Sequence, residues 1–221
     1  RDQAKGMMKR ILTSRPLALS LILLATPVVA HNGAVVTSLY ASGIVADGDL
    51  SDCPASIPSQ PIQYTEYGTP IRNSADLTAR LRVAWDEQES ALFVGIDVID
   101  DDVVSTSGTS PWNTQDGCEL YLDFDHGRKG SAARQHIIRG SWDTTAGEGS
   151  VRAGWGRHAQ GYTCEWRVDM SGVDGGHGRG GRTIGFDVSV NDFDRDDSFS
   201  WTSWGAGVQK QSESTRRGDL V

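Results

Sequence analysis

Basic residues are the scarcer charge in this chain of 221 residues. Lysine and arginine number 21 against 29 aspartates and glutamates, which gives a formal net charge of −8 at pH 7. Five of the basic residues fall within residues 1–30, so the rest of the chain is more acidic still. A surface of this sign repels phosphate backbones and anionic lipid surfaces. We therefore expect no nucleic-acid partner and favour neutral ligands or cations.

Long apolar runs are also absent, apart from a single run from Leu17 to Ala30. This run is shorter than the roughly 20 residues that a helix needs to span a bilayer. Basic residues precede it and small residues close it, which is the arrangement of a secretory signal. We predict that residues 1–30 are upstream residues and a signal peptide cleaved after Ala30, and that the protein is secreted or periplasmic.

Cysteine is rare, with Cys53, Cys118 and Cys164 as its three occurrences. An odd number leaves at least one thiol free or paired between chains. Cys118 and Cys164 both lie in predicted strands, so a disulfide between them is permitted in an oxidising compartment. Two small, buried, apolar thiols fit the same pattern equally well.

No segment of ten or more residues has the periodicity of an amphipathic helix, and there is no internal repeat. Apolar and polar residues instead alternate over short segments, as in half-buried strands. Turn dipeptides such as Asp47-Gly48 and Asp116-Gly117 separate these segments. The pattern predicts an all-β fold, an antiparallel β-sandwich that is immunoglobulin-like or jelly-roll-like. The strongest strand predictions are 81–85, 92–98, 118–124, 162–168 and 184–190, with shorter ones at 44–46, 135–139 and 199–203.

The strand pattern also predicts the domain organisation. Residues 31–41 form a short lead-in, and residues 42–221 form the sandwich. The last residues, Gly218 to Val221, have the pattern of a strand that is beginning. We therefore expect the sandwich to be cut off at its C-terminal end, with a further domain beyond residue 221.

Seven tryptophans occur in the chain, and their contexts differ. Trp85 and Trp166 alternate in phase with apolar residues, which favours core packing. Trp112 lies in a polar loop and Trp201 follows an acidic one, so both are candidates for exposed aromatic platforms. Sugars bind through flat aromatic surface combined with charged or amide groups. The candidate polar partners are Glu119, Arg134, Arg139, Asn191 and Gln115.

Four stretches in order across most of the chain have a recognisable pattern. They are IVADGDLSD at Ile44–Asp52, VAWDEQESALFVGIDVIDDDVV at Val83–Val104, PWNTQDGCELYLD at Pro111–Asp123, and IGFDVSVNDFD at Ile184–Asp194 with Trp201 shortly after. Together they resemble the family 9 carbohydrate-binding modules, which are secreted β-sandwiches best known as attachments to xylanases.

The resemblance implies a site in which two tryptophan rings sandwich a terminal sugar. Trp112 and Trp201 stand at the positions similar to that pair, and Glu119 is similar to the family's sugar-contacting acid. The implied function is non-catalytic binding of carbohydrate, namely glucan or xylan oligosaccharides and their chain ends. Arg134, Arg139 and Asn191 are further candidate contacts that the resemblance does not align residue by residue.

Three clusters of aspartates raise the question of a metal, because hard oxygen ligands at short spacing can hold calcium. The resemblance implies that structural calcium can be present, although no cofactor is required. The alternative is that the side chains accept backbone hydrogen bonds in turns. We favour turns for the first cluster, and both interpretations stay open for the other two. The clusters are Asp47, Asp49 and Asp52; Asp100, Asp101 and Asp102; and Asp192, Asp194, Asp196 and Asp197.

Three other functions compete with sugar binding. Glu119 and Glu165 would make a glycosidase pair if their carboxyls lay roughly 5 to 9.5 Å apart. A copper enzyme is a second possibility, with His31 as the first residue after signal cleavage. A sensory or adhesive module of a larger membrane protein is the third, because a sandwich does not by itself specify its ligand. The copper site would need a second histidine from His126, His136, His158 or His177.

Overall fold

The computed structural model describes residues 32–106, 111–126, 134–139, 151–172 and 181–221. The predicted signal peptide lies outside these residues, as do His31 and His177 of the copper alternative. Helical structure in the described part is limited to two short 3-10 turns, Leu50–Asp52 and Ser214–Arg216. Neither turn approaches the length and apolarity that crossing a membrane requires, and no other helix does so there.

Strands dominate the described part of the chain and confirm the all-β prediction. Each of the five strongest strand predictions falls on an observed strand. The shorter prediction at 44–46 is wrong, because Ile44 packs on the outer face of a sheet without pairing. The strands are β1 Val35–Val36, β2 Leu39–Tyr40, β3 Gln60–Ile62, β4 Tyr64–Gly68, β5 Thr78–Asp86, β6 Ala91–Ile99, β7 Gly117–Asp123, β8 Arg134–Arg139, β9 Val151–His158, β10 Gly161–Asp169, β11 Ile184–Phe193, β12 Phe199–Ser203 and β13 Gly218–Leu220.

Two sheets form the sandwich, here called the A sheet and the B sheet. In the A sheet, β8, β7 and β11 run side by side, and β13 and β12 share the other edge of β11. β1 extends β13, and β4 extends β12. In the B sheet, β5, β6, β10 and β9 are consecutive neighbours, and β2 and β3 share the free edge of β5. The segment predicted as a lead-in thus supplies β1 to one sheet and β2 to the other.

The core lies between the two sheets and follows from the alternation. Leu120 of β7 and Val188 of β11 point inward from the A sheet, and Ile96 and Trp166 point inward from the B sheet. All belong to one apolar cluster, so Trp166 is a core residue as its spacing predicts. Cys118 and Cys164 lie in the same cluster, one on each sheet. All three cysteines are buried with free thiols.

The Asp47-Gly48 turn lies flat on the outer face of the B sheet. The buried carboxylate of Glu165 accepts hydrogen bonds from the backbone N–H of Asp47 at 3.2 Å and of Gly48 at 2.7 Å. The turn approaches so closely that a β-carbon on Gly156 would lie 2.3 Å from the Gly48 carbonyl oxygen. The backbone of Gly48 therefore leaves no room for a side chain at position 156, and unlike a side chain it cannot simply rotate away.

We expect Gly156→Ala to lower the free energy of unfolding by about 1–3 kcal/mol, because the turn must lift off the sheet. Urea unfolding would measure this loss. The control is Gly172→Ala, since nothing lies within 4 Å of a β-carbon there. Equal stability of the two variants would contradict the close approach.

Candidate functional site

The outer face of the A sheet is polar at its centre although it is buried. Glu119 on β7 pairs with Ser189 on β11, Gly117 pairs with Asn191, and Asn191 pairs with Trp201 on β12. Residues that pair across strands project from the same face of a sheet. The side chains of Glu119, Ser189, Asn191 and Trp201 therefore form one group on this face.

Glu119 is the centre of a hydrogen-bond network. Its Oε2 accepts from the Tyr121 hydroxyl, from Ser189 Oγ at 3.2 Å and from Trp201 Nε1 at 3.5 Å. Its Oε1 accepts from Asn191 Nδ2 at 3.2 Å. Burial and the neighbouring carboxylate raise the pKa of Tyr121, so its hydroxyl stays protonated and donates. The Asn191 amide oxygen is buried and accepts no hydrogen bond within the described part of the chain, so it can receive a donor from a ligand.

Aromatic rings flank this polar group. The Trp112 side chain is 42% exposed, and its ring centroid lies 5.9 Å from that of Tyr67, which is 54% exposed. Phe199 supports the Trp112 ring edge-on at 5.1 Å. Trp201 is only 7% exposed and packs with Tyr121 and Phe199. The exposed aromatic surface therefore comes from Trp112 and Tyr67. Trp201 is mostly buried, and its main contacts are with Tyr121, Phe199 and Glu119.

These groups line one open cleft with an empty volume of about 1000 Å³. Its floor includes Glu119, Tyr121 and Trp201, and Trp112 and Tyr67 lie in its wall. Three amides complete the polar lining. These are Gln135 on β8, and Gln209 and Gln211 in the segment after β12.

The cleft brings together Trp112, Glu119 and Trp201, and Asn191 joins them through Glu119. Arg139 pairs with Gly117 and so projects from the same face of the sheet. Arg134 does not line the cleft. Alternation along β8 turns it away from Gln135, and its guanidinium lies 5.6 Å from the centroid of the Phe124 ring.

Some lining residues were missed by the sequence analysis. Tyr67 lies on the short edge strand β4, and Gln209 and Gln211 lie in an irregular segment without alternation. No local pattern distinguishes them from surface residues. Gln115, a candidate polar partner for the sugar, is buried directly before Asp116 and does not line the cleft.

Three aspartates from different parts of the chain meet where β6 ends and β7 begins, on the inward side of the sheets. Asp100 follows β6, Asp116 precedes β7 and Asp192 lies on β11; all are buried, with carboxylate oxygens within 4.8 Å of one another. Burial raises the pKa of Asp100 to about 6, of Asp116 to about 9 and of Asp192 to about 8, and repulsion from Asp100 adds to the rise at Asp116 and Asp192. Like charges this close disfavour one another's ionisation unless a cation is present.

The donor set fits calcium, which prefers carboxylate oxygens. Asp116 uses both oxygens to accept the backbone N–H groups of Val104 and Phe193, and Asp102 N–H donates to Asp100 Oδ1 at 2.7 Å. Asp100 Oδ2 and Asp192 Oδ1 are buried and receive no donor from the described residues. Two orphaned buried carboxylate oxygens are costly without a compensating positive charge.

The other aspartate clusters are mostly compensated within the protein, although Asp194 Oδ1 is buried and receives no donor from the described residues. Asp76 and Asp194 pair with the guanidinium of Arg72, which also reaches Asp196 at 3.1 Å. In the first cluster, Asp47 Oδ1 accepts from Asp49 N–H and Asp49 Oδ1 accepts from Ser51 N–H, each at 3.0 Å. These are turn contacts, as the turn interpretation predicts.

The glycosidase alternative fails on geometry. Glu119 projects from the outer face of the A sheet and Glu165 from the outer face of the B sheet. Packed sheets are separated by about 10 Å, and outward side chains lie farther apart than that. The two carboxyls therefore cannot flank one glycosidic bond.

Comparison with known proteins gives a consistent result. The family described as "Carbohydrate family 9 binding domain-like" matches residues 46–217. Among solved structures, a family 9 carbohydrate-binding module from Caldicellulosiruptor kristjanssonii in complex with cellotriose is 19% identical, with a TM-score of 0.64 over 85% of this chain and 92% of that chain. Its complex with glucose gives the same identity and TM-score over 94% of that chain. No curated protein matches the chain.

Proposed function

The chain belongs to the carbohydrate family 9 binding domain-like family, and on this premise we propose that it binds neutral oligosaccharides of the glucan or xylan type, without catalysis, in the cleft of the A sheet. The observation that carries the proposal is the exposed Trp112 ring next to the buried network of Glu119 and Asn191. Relatives of known structure bind cellotriose and glucose.

Binding follows from the chemistry of the lining. The apolar CH face of a sugar stacks on Trp112 and Tyr67, while its hydroxyls donate to Glu119, which Asn191 holds in place. Glu119 carries the one formal charge among the described lining residues, which favours a neutral ligand over an acidic one. Affinity is modest, because an open cleft displaces water that was already well hydrogen-bonded.

Calcium belongs to the same proposal. Asp100, Asp116 and Asp192 would hold the ion, which would supply the positive charge that their buried oxygens need. Asp192 is adjacent to Asn191 on β11, and Asp116 is adjacent to Gly117 at the start of β7. The ion would therefore tie together the two strands that carry the cleft floor, without contacting the sugar.

The setting of the module is also proposed from its sequence. A basic start, a short apolar run and small residues before His31 support export from the cytoplasm. Attachment to a glycoside hydrolase and service as the sensory part of a membrane protein both remain compatible with a binding module. The reading frame beyond residue 221 would distinguish the two, by a catalytic domain in one case and a transmembrane segment in the other.

Isothermal titration of residues 31–221 with cellobiose, xylobiose and glucose, each with and without calcium, tests the proposal. We expect binding of roughly −4 to −7 kcal/mol, between about millimolar and ten micromolar. Glucuronic acid, matched in size to glucose but anionic, is expected to bind more weakly. If a folded protein gives no heat with any sugar, the fold stands, and a sensory module with another ligand becomes the better hypothesis.

A further inference from the structure

The segment from Gly205 to Arg217 lies over the part of the outer A-sheet face that carries Asp123 and Asp187. Its Lys210 and Arg217 are fully buried and form ion pairs with Asp187 of β11 and Asp123 of β7. Asp187 lies two residues before Ser189 of the Glu119 network. One half of the outer A-sheet face is therefore covered by this segment through two buried ion pairs, and the other half is open to a ligand.

Lys210 forms hydrogen bonds through both its side-chain amine and its backbone carbonyl. Its Nζ donates to Asp187 Oδ2 at 2.7 Å and to the Arg216 carbonyl at 2.9 Å. Its own carbonyl oxygen accepts from Arg217 at 2.6 Å, and Arg217 also donates to Asp123 Oδ2 at 2.6 Å. The segment has no strand pairing until β13, so its position is set by these contacts together with those of Asn32 to the Ala206 and Arg216 carbonyls and of the Gly207 N–H to Glu66.

The two neighbours of Lys210 point the opposite way. Gln209 and Gln211 are exposed and line the cleft, whereas Lys210 between them is buried. The backbone of Gln209 has a φ of 62°, in the left-handed region that a residue with a side chain rarely adopts. Such a conformation persists where the surrounding structure holds it. A glutamine amide offers both donors and an acceptor, which suits sugar hydroxyls.

We propose that Gln209 and Gln211 are sugar-contacting residues and that the buried Lys210–Asp187 pair is the device that positions them. Lys210 itself does not touch the ligand. The inference rests on the proposed function of the same cleft. It adds two amide side chains as ligand contacts, on a segment that the Lys210–Asp187 ion pair attaches to the sheet. The ligand must then present hydroxyls to these amides as well as to Glu119.

Alanine variants test the contacts. Gln209→Ala and Gln211→Ala are each expected to weaken cellobiose or xylobiose binding about three- to tenfold, the effect of losing a neutral hydrogen bond. The matched control is Gln88→Ala, which is exposed in the turn between β5 and β6 and is expected to leave affinity unchanged. Full affinity in both cleft variants would overturn the inference while the proposed function stood. Absence of binding by the unmodified protein would instead defeat the proposed function.

A double-mutant cycle tests the positioning role. Lys210→Met combined with Asp187→Asn removes both charges together, because one charge left alone in the interior would destabilise the fold strongly. We expect this change to weaken binding when the two glutamines are present, and to have little further effect in the Gln209→Ala, Gln211→Ala background. Equal losses in both backgrounds would show that the pair only supports the fold, and would overturn the positioning role.

Discussion

Trp112→Ala is expected to weaken oligosaccharide binding about 70-fold. Stacking a sugar face removes on the order of 100 Å² of apolar surface from water, and about 25 cal/mol per Å² makes this about 2.5 kcal/mol. The fold should change little, since 42% of the side chain is exposed and its main contacts are the rings of Tyr67 and Phe199. Titration calorimetry gives the affinity, and thermal unfolding gives the stability.

The matched control for this variant is Tyr40→Ala. Tyr40 is another exposed aromatic, but it lies on β2 of the B sheet and away from the cleft. Trp112→Tyr should retain part of the affinity, because a smaller flat ring still stacks. Unchanged affinity in Trp112→Ala, with normal binding by the control, would contradict the aromatic platform.

Trp201 is not equivalent to Trp112, although their sequence contexts are alike. Trp201 is 7% exposed, and its indole N–H donates to Glu119. Its removal leaves a cavity and takes one of four donors from Glu119, so Trp201→Ala should cost roughly 3–5 kcal/mol of stability in addition to affinity. Of the two tryptophans, Trp112 is therefore the one whose removal separates an effect on binding from an effect on the fold.

The long strands could be predicted because one of their faces is packed against the core. β6, β7, β10 and β11 each place an apolar side chain inward at every second residue, and this period is visible in the sequence. β9 is less regular, because Gly154 and Gly156 stand where the Asp47-Gly48 turn approaches the sheet. The short strands β1 to β4 are defined by their partners, so their sequences alone carry little signal.

The candidate site divides in the same way. Trp112 and Glu119 stand in a local motif, so sequence analysis found them. Gln209 and Gln211 reach the cleft from a segment that contacts such as Lys210 to Asp187 hold in place, and no period in the sequence links these residues. Arg134 was a candidate because the sequence of β8 does not show which of its alternating side chains face outward. The pairing of β8 with β7 in the fold shows which residues do so.

Removal of calcium is expected to lower the free energy of unfolding. An ion at a free concentration of 100 times its dissociation constant adds about 2.7 kcal/mol to the free energy of unfolding. For a domain of this size, that is roughly 5 to 10 °C in the melting temperature. Calorimetric melting in EDTA and in excess calcium measures the difference. Overlapping melting curves would contradict a metal at Asp100, Asp116 and Asp192.

Asp192→Asn distinguishes the effect of bound calcium on stability from the effect of the buried carboxylates that would hold it. The asparagine removes one buried carboxylate from a group whose raised pKa values indicate burial and repulsion, so the metal-free variant should be more stable than metal-free wild type. The same variant should gain less from calcium, because it lacks one of the three carboxylate charges that would attract the ion. The control is Asp97→Asn, exposed on β6, which should respond to calcium as wild type does. A variant that loses stability in EDTA and still responds fully to calcium would show that Asp192 is a structural acid and not a ligand.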